Sequence, residues 1–222
     1  SATISNRTGS IIEGLGDELF NILEVFADME GIDDEPEIDI DRLAMEKNMH
    51  ELFSALETFA FDSEEEKEAF LRDFAQQQQM MVSAPETRRD MAQDKLYEAF
   101  QVHGAARKRL IEEALEIYPN SPDAYVLMAE DVKNINELLT KAVYVGKKDL
   151  GKDFIKEHKG HFWMLLETRP YMRALVALAH VQYELGDTTS AIETLEELLV
   201  LNPGDNQGVR YQLLTLYLET KQ

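Results

Sequence analysis

Apolar side chains in this chain recur at three- and four-residue intervals, and nowhere do they alternate for long enough to build a strand. Spacings of three and four gather side chains on one side of a helix, whereas a strand needs a period of two. Ile11, Ile12, Leu15, Leu19, Ile22, Leu23 and Phe26 form one such set, and Met45, Met49, Leu52, Phe53, Leu56, Phe59 and Ala60 form another. Ser63 stands three residues before Glu66, so each side chain can satisfy a free backbone N–H at a helix start. Phe70 and Phe74 follow, with Met80 and Met81 before Pro85. The expectation is an all-α fold. At 222 residues the chain can bury a substantial core.

Charge divides the chain in two. Residues 1–85 hold 21 acidic and 5 basic side chains, against 22 and 17 in residues 86–222, within a net charge of −21. The expected organisation is an acidic helical N-terminal region over 1–85 and a helical repeat domain over 86–222. The densest acidic stretch, Asp33 to Asp41, is interrupted by Pro36 and reads as a linker. So negative a field disfavours nucleic acid and anionic membrane as partners. No apolar run approaches the ~18 residues of a membrane span, and Ser1 to Glu18 carries no signal pattern. With no cysteine, disulfides, thiolate metal sites and cysteine nucleophiles are excluded, and a reducing cytoplasm is the simplest setting.

The C-terminal half repeats itself. Leu110 to Pro119, Leu138 to Val145 and Leu195 to Pro203 end alike, and in the first and third a proline stops the helix. After Pro119, Ser121 is placed to cap a helix that has Pro122 at its first position and Asp123 in its first turn. Met172 to Asp205 gives the fullest unit: Leu175, Leu178, Ala179 and Tyr183, then Gly186-Asp187 at a turn, then Ala191, Leu195, Leu198, Leu199 and Pro203. Ala179 and Ala191 suit a close helix crossing, and Asp187 suits a cap.

In these positions the chain resembles the tetratricopeptide repeat family, which repeats 34 residues as two antiparallel helices. Met91 to Pro119 matches mainly at its end, Pro122 to Val145 is a shortened copy, and Gln207 to Leu218 would close the stack as a cap. Ala124 to Glu130, Gly160-His161-Phe162-Trp163, Glu167 to Ala174 and Asn202 to Tyr211 are similar to the bacterial relatives of the suppression-of-tumorigenicity tetratricopeptide proteins. The resemblance covers roughly Gln93 to Leu218 and implies a short right-handed solenoid of stacked helix pairs, used as an interaction scaffold.

Catalytic signatures are absent from the sequence. There is no Gly-x-Gly-x-x-Gly, no phosphate-loop Gly-Lys-Ser/Thr, and the second histidine that a zinc-protease helix needs after His50-Glu51 falls at Ser54. The expectation is therefore a non-enzyme without a cofactor. A calcium loop from Asp33 fails, because the twelfth position is Ala44. His158 and His161 are weak metal candidates: a separation of three puts two imidazoles on one side of a helix, but Gly160 intervenes and no third ligand is fixed nearby.

Thr168-Arg169-Pro170-Tyr171-Met172-Arg173 is more informative. Thr168 and Pro170 suit a helix start, but two arginines facing the positive end of a helix dipole have no capping role. In the resembled family the first helix of each pair lines the concave groove, which implies Arg173, Val176, Ala177, His180 and Tyr183 as groove positions, continued by Gln207, Arg210 and Leu214. The partner-binding set expected is Arg169, Arg173, His180, Tyr183, Gln207 and Arg210. It suits an acidic peptide or partner helix, held through bidentate arginine contacts. The alternative is that these arginines pair with the chain's own acids, such as Glu130 or Glu167. The lysine and asparagine of a chaperone-tail clamp are missing, their places being taken by Val176 and His180.

An adaptor that grips a peptide or helix is the leading functional expectation. The acidic N-terminal region could instead imitate nucleic acid to a basic protein, or, in a third reading, the histidines could serve a metal-dependent enzyme. It could also fold back into the groove, or onto a second copy, and close it until a partner competes; a homo-oligomer is compatible with these readings.

Overall fold

The computed structural model describes residues 40–58, 63, 66–70, 87–129 and 133–220. Among them run α1 (Ile40–Thr58), α2 (Arg88–Gln101), α3 (Gly104–Ile117), α4 (Pro122–Ala129), α5 (Ile135–Leu150) and α6 (Lys152–Glu157). Two 3-10 turns, Phe162–Met164 and Leu166–Thr168, lead into α7 (Arg169–Glu184), followed by α8 (Thr188–Leu201) and α9 (Val209–Thr220). Residues 66–70 are also helical, with the Ser63 hydroxyl accepting the Glu66 N–H at 3.1 Å. No described residue lies in a strand. No described helix is long and apolar enough to cross a membrane. The expected helix over Ile11–Phe26, the acidic stretch up to Asp39, and Phe74, Met80 and Met81 lie outside the described residues. Asp41, read as the end of a linker, belongs to the first turn of α1.

Helices pack as successive pairs: α2 with α3, α4 with α5, and α7 with α8, while α9 closes against α8. The first members α2, α4 and α7 also touch in order, so one row of helices runs across the pairs. α1 packs on α2 and belongs to the same compact unit as the C-terminal helices.

The α7–α8 pair follows the pattern expected of it. Ala179 and Ala191 are buried at 2% and 0% exposure, and Leu175, Leu195, Leu198 and Val209 fill the space around them. Small side chains at the crossing let the two axes approach, and the larger ones then exclude water. Gly186 takes the left-handed conformation (φ 83°) that ends a helix, and the Asp187 carboxylate accepts the Ser190 N–H at 3.2 Å. α2 begins with a capping box, Thr87 and Asp90 each accepting the other's backbone N–H.

Two expected caps are corrected. The Ser121 hydroxyl donates back to the Tyr118 carbonyl at 2.8 Å and does not cap α4. The Thr168 hydroxyl, fully buried, lies against the carbonyls of Leu165 (2.7 Å) and Phe162 and makes no cap bond to α7. In both places the hydroxyl serves a 3-10 or turn carbonyl instead, and buried acceptors of that kind need a donor. Pro170 does stand in the first turn of α7.

A polar tie joins α2, α5 and the turn before α7. Asp149, at the end of α5, accepts from Tyr118 and pairs with Arg89 of α2 at 3.1 Å, and Arg89 also donates to the Glu167 carbonyl at 2.8 Å. Burial, with the Asp149 carboxylate beside it, pushes the Tyr118 phenol up to about 12, so it remains a donor at any working pH.

Candidate functional site

Arg173 projects from the first turns of α7 into a buried junction between α1, α2 and α4. Its Nε and Nη2 donate to the two oxygens of Asp123 at 2.9 and 2.6 Å, a bidentate pair with a carboxylate that is 0% exposed. The remaining arm, Nη1, donates to Glu46 Oε2 of α1 at 2.8 Å. One turn earlier, Arg169 faces the same Glu46 oxygen at 3.6 Å. Arg169 is itself held by the Trp163 carbonyl (3.3 Å from Nε and Nη2) and lies over the Trp163 ring at 4.5 Å. Tyr97 of α2 donates to Glu46 Oε1 at 2.9 Å, and Gln93 of the same helix donates to Asp123 at 2.8 Å. The Phe100 ring lies 5.9 Å beneath the Arg173 guanidinium.

The protonation states follow from these contacts. Burial acts to raise the Glu46 carboxyl, but Arg173, Arg169 and the Tyr97 hydroxyl together bring it below the ordinary carboxylate value. Burial opposes charge on Arg173 too, and its two carboxylates overcome that, leaving it firmly protonated. Burial in the same junction lowers Arg169, and it pushes the Tyr97 phenol well up, so Tyr97 stays neutral. The four ionic groups are two guanidiniums and two carboxylates, so the junction is balanced only when Glu46 is present.

α1 is anchored at three further points along its length. Leu43, three residues before Glu46, is buried at 3% exposure. Arg42 Nη1 reaches the Asn206 carbonyl in the α8–α9 turn at 3.4 Å, and His50 Nε2 meets Asp90 Oδ1 at the start of α2 at 3.1 Å. Burial lowers the His50 imidazole, but the hydrogen bond and charge of Asp90, with Asp94 and Glu46 nearby, raise it above its ordinary value overall. A raised histidine contributes stability fully below its unfolded value of about 6.5 and loses it as pH climbs through the folded value. Asp90 is lowered against burial by His50 and Thr87, so its own contribution fades only as pH falls through that lowered value. Amide exchange in residues 42–52, corrected for intrinsic rates, should therefore rise relative to α8 as pH climbs above about 6.5, and a His50→Ala variant should lose that slope. Equal slopes in the two proteins would remove His50 from the docking of α1.

The expected partner-binding residues do not form one open surface. Arg169 and Arg173 come together, but in the buried junction: their side chains are 10% and 13% exposed. Their acids are Glu46 and Asp123, whereas the Glu167 backbone carbonyl serves Arg89 and Glu130 lies outside the described residues. His180 and Tyr183 are exposed, about 10 and about 15 Å beyond Arg173 along α7 by helix rise. His180 pairs with Glu184 at 3.3 Å, and the Tyr183 hydroxyl donates to Glu219 of α9. Arg210 is exposed and folds back on the α8–α9 turn, against the Pro203 carbonyl and Asp205. Gln207 is half-buried, and its side-chain oxygen is buried without a hydrogen-bond partner.

The two weak metal candidates, His158 and His161, stand on different stretches of backbone. α6 ends at Glu157, His158 stacks on Phe154 with ring centroids 4.4 Å apart, and Gly160 turns left-handed (φ 92°) before the exposed His161. The two imidazoles thus share no helix face, because the glycine ends the period that would have aligned them. No group of three or more His, Asp or Glu side chains among the described residues could hold a metal ion.

Glu46, Asp123, Tyr97 and Gln93 were not singled out by sequence. Asp123 reads as an ordinary first-turn acid, and Glu46 as one of many acids in an acidic region. Their one signal is position: Glu46 lies on the apolar side of α1, three residues after Leu43 and four before His50. The chain matches no family model, no curated protein and no solved structure.

Proposed function

We propose that this chain is a non-enzymatic interaction adaptor of the tetratricopeptide-repeat type, which holds a peptide or partner helix against the row formed by α2, α4 and α7. The supporting observation is that this row already meets a helix: α1 packs on α2 and reaches α7, with the Glu46 carboxylate held between Arg173 and Arg169 across 127 residues of sequence. Paired helices with small residues at their crossings, and a closing helix at the C-terminal end, suit that class. A cysteine-free acidic chain suits a cytoplasmic setting. Glu46 is buried, so it adds nothing to an acidic surface offered to a basic protein.

His180, towards the end of α7, and Arg210, on the closing helix α9, are where a partner can be tested without disturbing the fold. Both side chains are exposed and make only local pairs, so His180→Glu/Arg210→Glu should shift the melting temperature by no more than about 2 °C. Used as bait beside the native chain in lysate from its source, the double variant should lose the captured partner. Undiminished capture by a folded variant would sink this reading.

A further inference from the structure

We propose that the face formed by α2, α4 and α7 is a docking surface for an acidic amphipathic helix of the α1 pattern, and that α1 is its resident, exchangeable occupant. This rests on the adaptor reading and names the chemistry of its partner.

The geometry separates what belongs to the surface from what belongs to α1. Arg173 is fixed by Asp123 through Nε and Nη2, and Arg169 by the carbonyl and ring of Trp163. Both sets of contacts lie within the repeat helices and the turn before α7. They persist if α1 leaves. What α1 contributes is the carboxylate on the free arm of Arg173, which Arg169 and Tyr97 also face. Without it the junction keeps two guanidiniums and one carboxylate, an oriented site with an excess positive charge on an otherwise acidic chain. A vacated site of that kind favours a carboxylate, because two guanidiniums held in place by the repeat helices, with one carboxylate to balance them, offer directed donors to a second.

The residues that meet the surface define the pattern an occupant needs. Leu43, Glu46 and His50 stand at positions 0, +3 and +7, which places them on one side of α1. Leu43 is buried, Glu46 is gripped by the arginines, and His50 meets Asp90. The matching partner is therefore a helix with an apolar residue, a glutamate three positions on and a histidine or other base four beyond that. Exchange of one such helix for another leaves the ionic balance of the junction unchanged. The cost of displacement is then set by the covalent attachment of α1, whose effective concentration is on the order of millimolar for a tethered segment.

The test is a titration of a fluorescein-labelled peptide of residues 39–58 with the full chain, native and Glu46→Gln. The native peptide should bind the Glu46→Gln chain at least tenfold more tightly than the native chain, and a peptide with the same substitution should lose at least tenfold. Amide exchange of the variant should rise in residues 42–52 and stay unchanged in α7 and α8. Should Glu46→Gln not fold, Arg42→Ala/His50→Ala releases two polar anchors of α1 on either side of Glu46 without emptying the arginine site, and the same tenfold preference is expected of it. Exchange rising together in α1, α7 and α8, or peptide binding that ignores Glu46, overturns the proposal and makes α1 a fixed part of the fold. A native chain that dimerises with concentration and is dissociated by the peptide would make the occupant a second copy's α1, and overturns a separate partner. The adaptor reading fails separately, by undiminished capture with the His180→Glu/Arg210→Glu chain.

Discussion

Arg173→Ala should lower stability by about 3–5 kcal/mol, whereas Arg210→Ala should change it by less than about 0.5 kcal/mol. The two arginines carry the same chemistry, and burial separates them. Arg210 is a surface side chain whose loss solvent compensates. Removing Arg173 leaves Asp123, at 0% exposure, with the Gln93 amide as its side-chain partner among the described residues, and leaves Glu46 with Tyr97 and the more distant Arg169. Two buried carboxylates then lose their closest counter-charge, and stranding a charge costs more than the intact pair contributed. For a chain of this size the expected fall in melting temperature is about 10 °C. Asp123→Ala should cost nearly as much. The double variant should cost less than the sum of the singles, by about 1–3 kcal/mol, because each single already breaks the bidentate pair. Denaturant melts of the four proteins test this; additive losses would mean that the pair is not coupled.

Gly146→Val should be the most damaging change at any glycine of the described helices, with a cost of about 3 kcal/mol. Gly146 lies inside α5, where glycine weakens a helix by about 1 kcal/mol relative to alanine, so its presence requires a reason from packing. A Cβ there would stand 2.8 Å from Cδ2 of Tyr171 and 3.0 Å from Cγ of Pro122. Tyr171 has no room to yield: it is 1% exposed, and its hydroxyl is tied to Glu197 at 3.2 Å. Pro122 holds the first turn of α4. In Gly146→Ala the helical gain offsets part of the overlap, leaving a net cost of about 1 kcal/mol, and the further methyl groups of valine bring no such offset. The order of melting temperatures should be glycine, then alanine, then valine. A valine variant as stable as the native chain would show that α5 and α7 tolerate a wider separation.

Both cases mark where reading along the chain stops being sufficient. The helices were legible because a helix is a local object: Leu175, Leu178, Leu195 and Leu198 declare a face by spacing alone, and Gly186-Asp187 and Pro203 declare ends by backbone chemistry. The close α7–α8 crossing was legible from Ala179 and Ala191, since small residues at matching heights have few other uses in neighbouring helices. Arg169 and Arg173 were legible as arginines in need of acids. Which acids they meet was not, because Glu46 is 127 residues from Arg173 and Asp123 is 50 residues away. The charge of a side chain is a property of the sequence, but its partner is a property of the packing.

For this protein, then, the sequence by itself determined the helical character, the pairing of neighbouring helices and several of their ends, such as Gly186-Asp187 and Pro203, all of which follow from interactions over a few residues. Only the tertiary structure decided that the arginine pair is buried, that α1 from the acidic region supplies one of its carboxylates, and that Gly146 marks a close approach. Those facts depend on which helices meet across long stretches of chain. Burial removes the solvent that would otherwise let any charge stand alone.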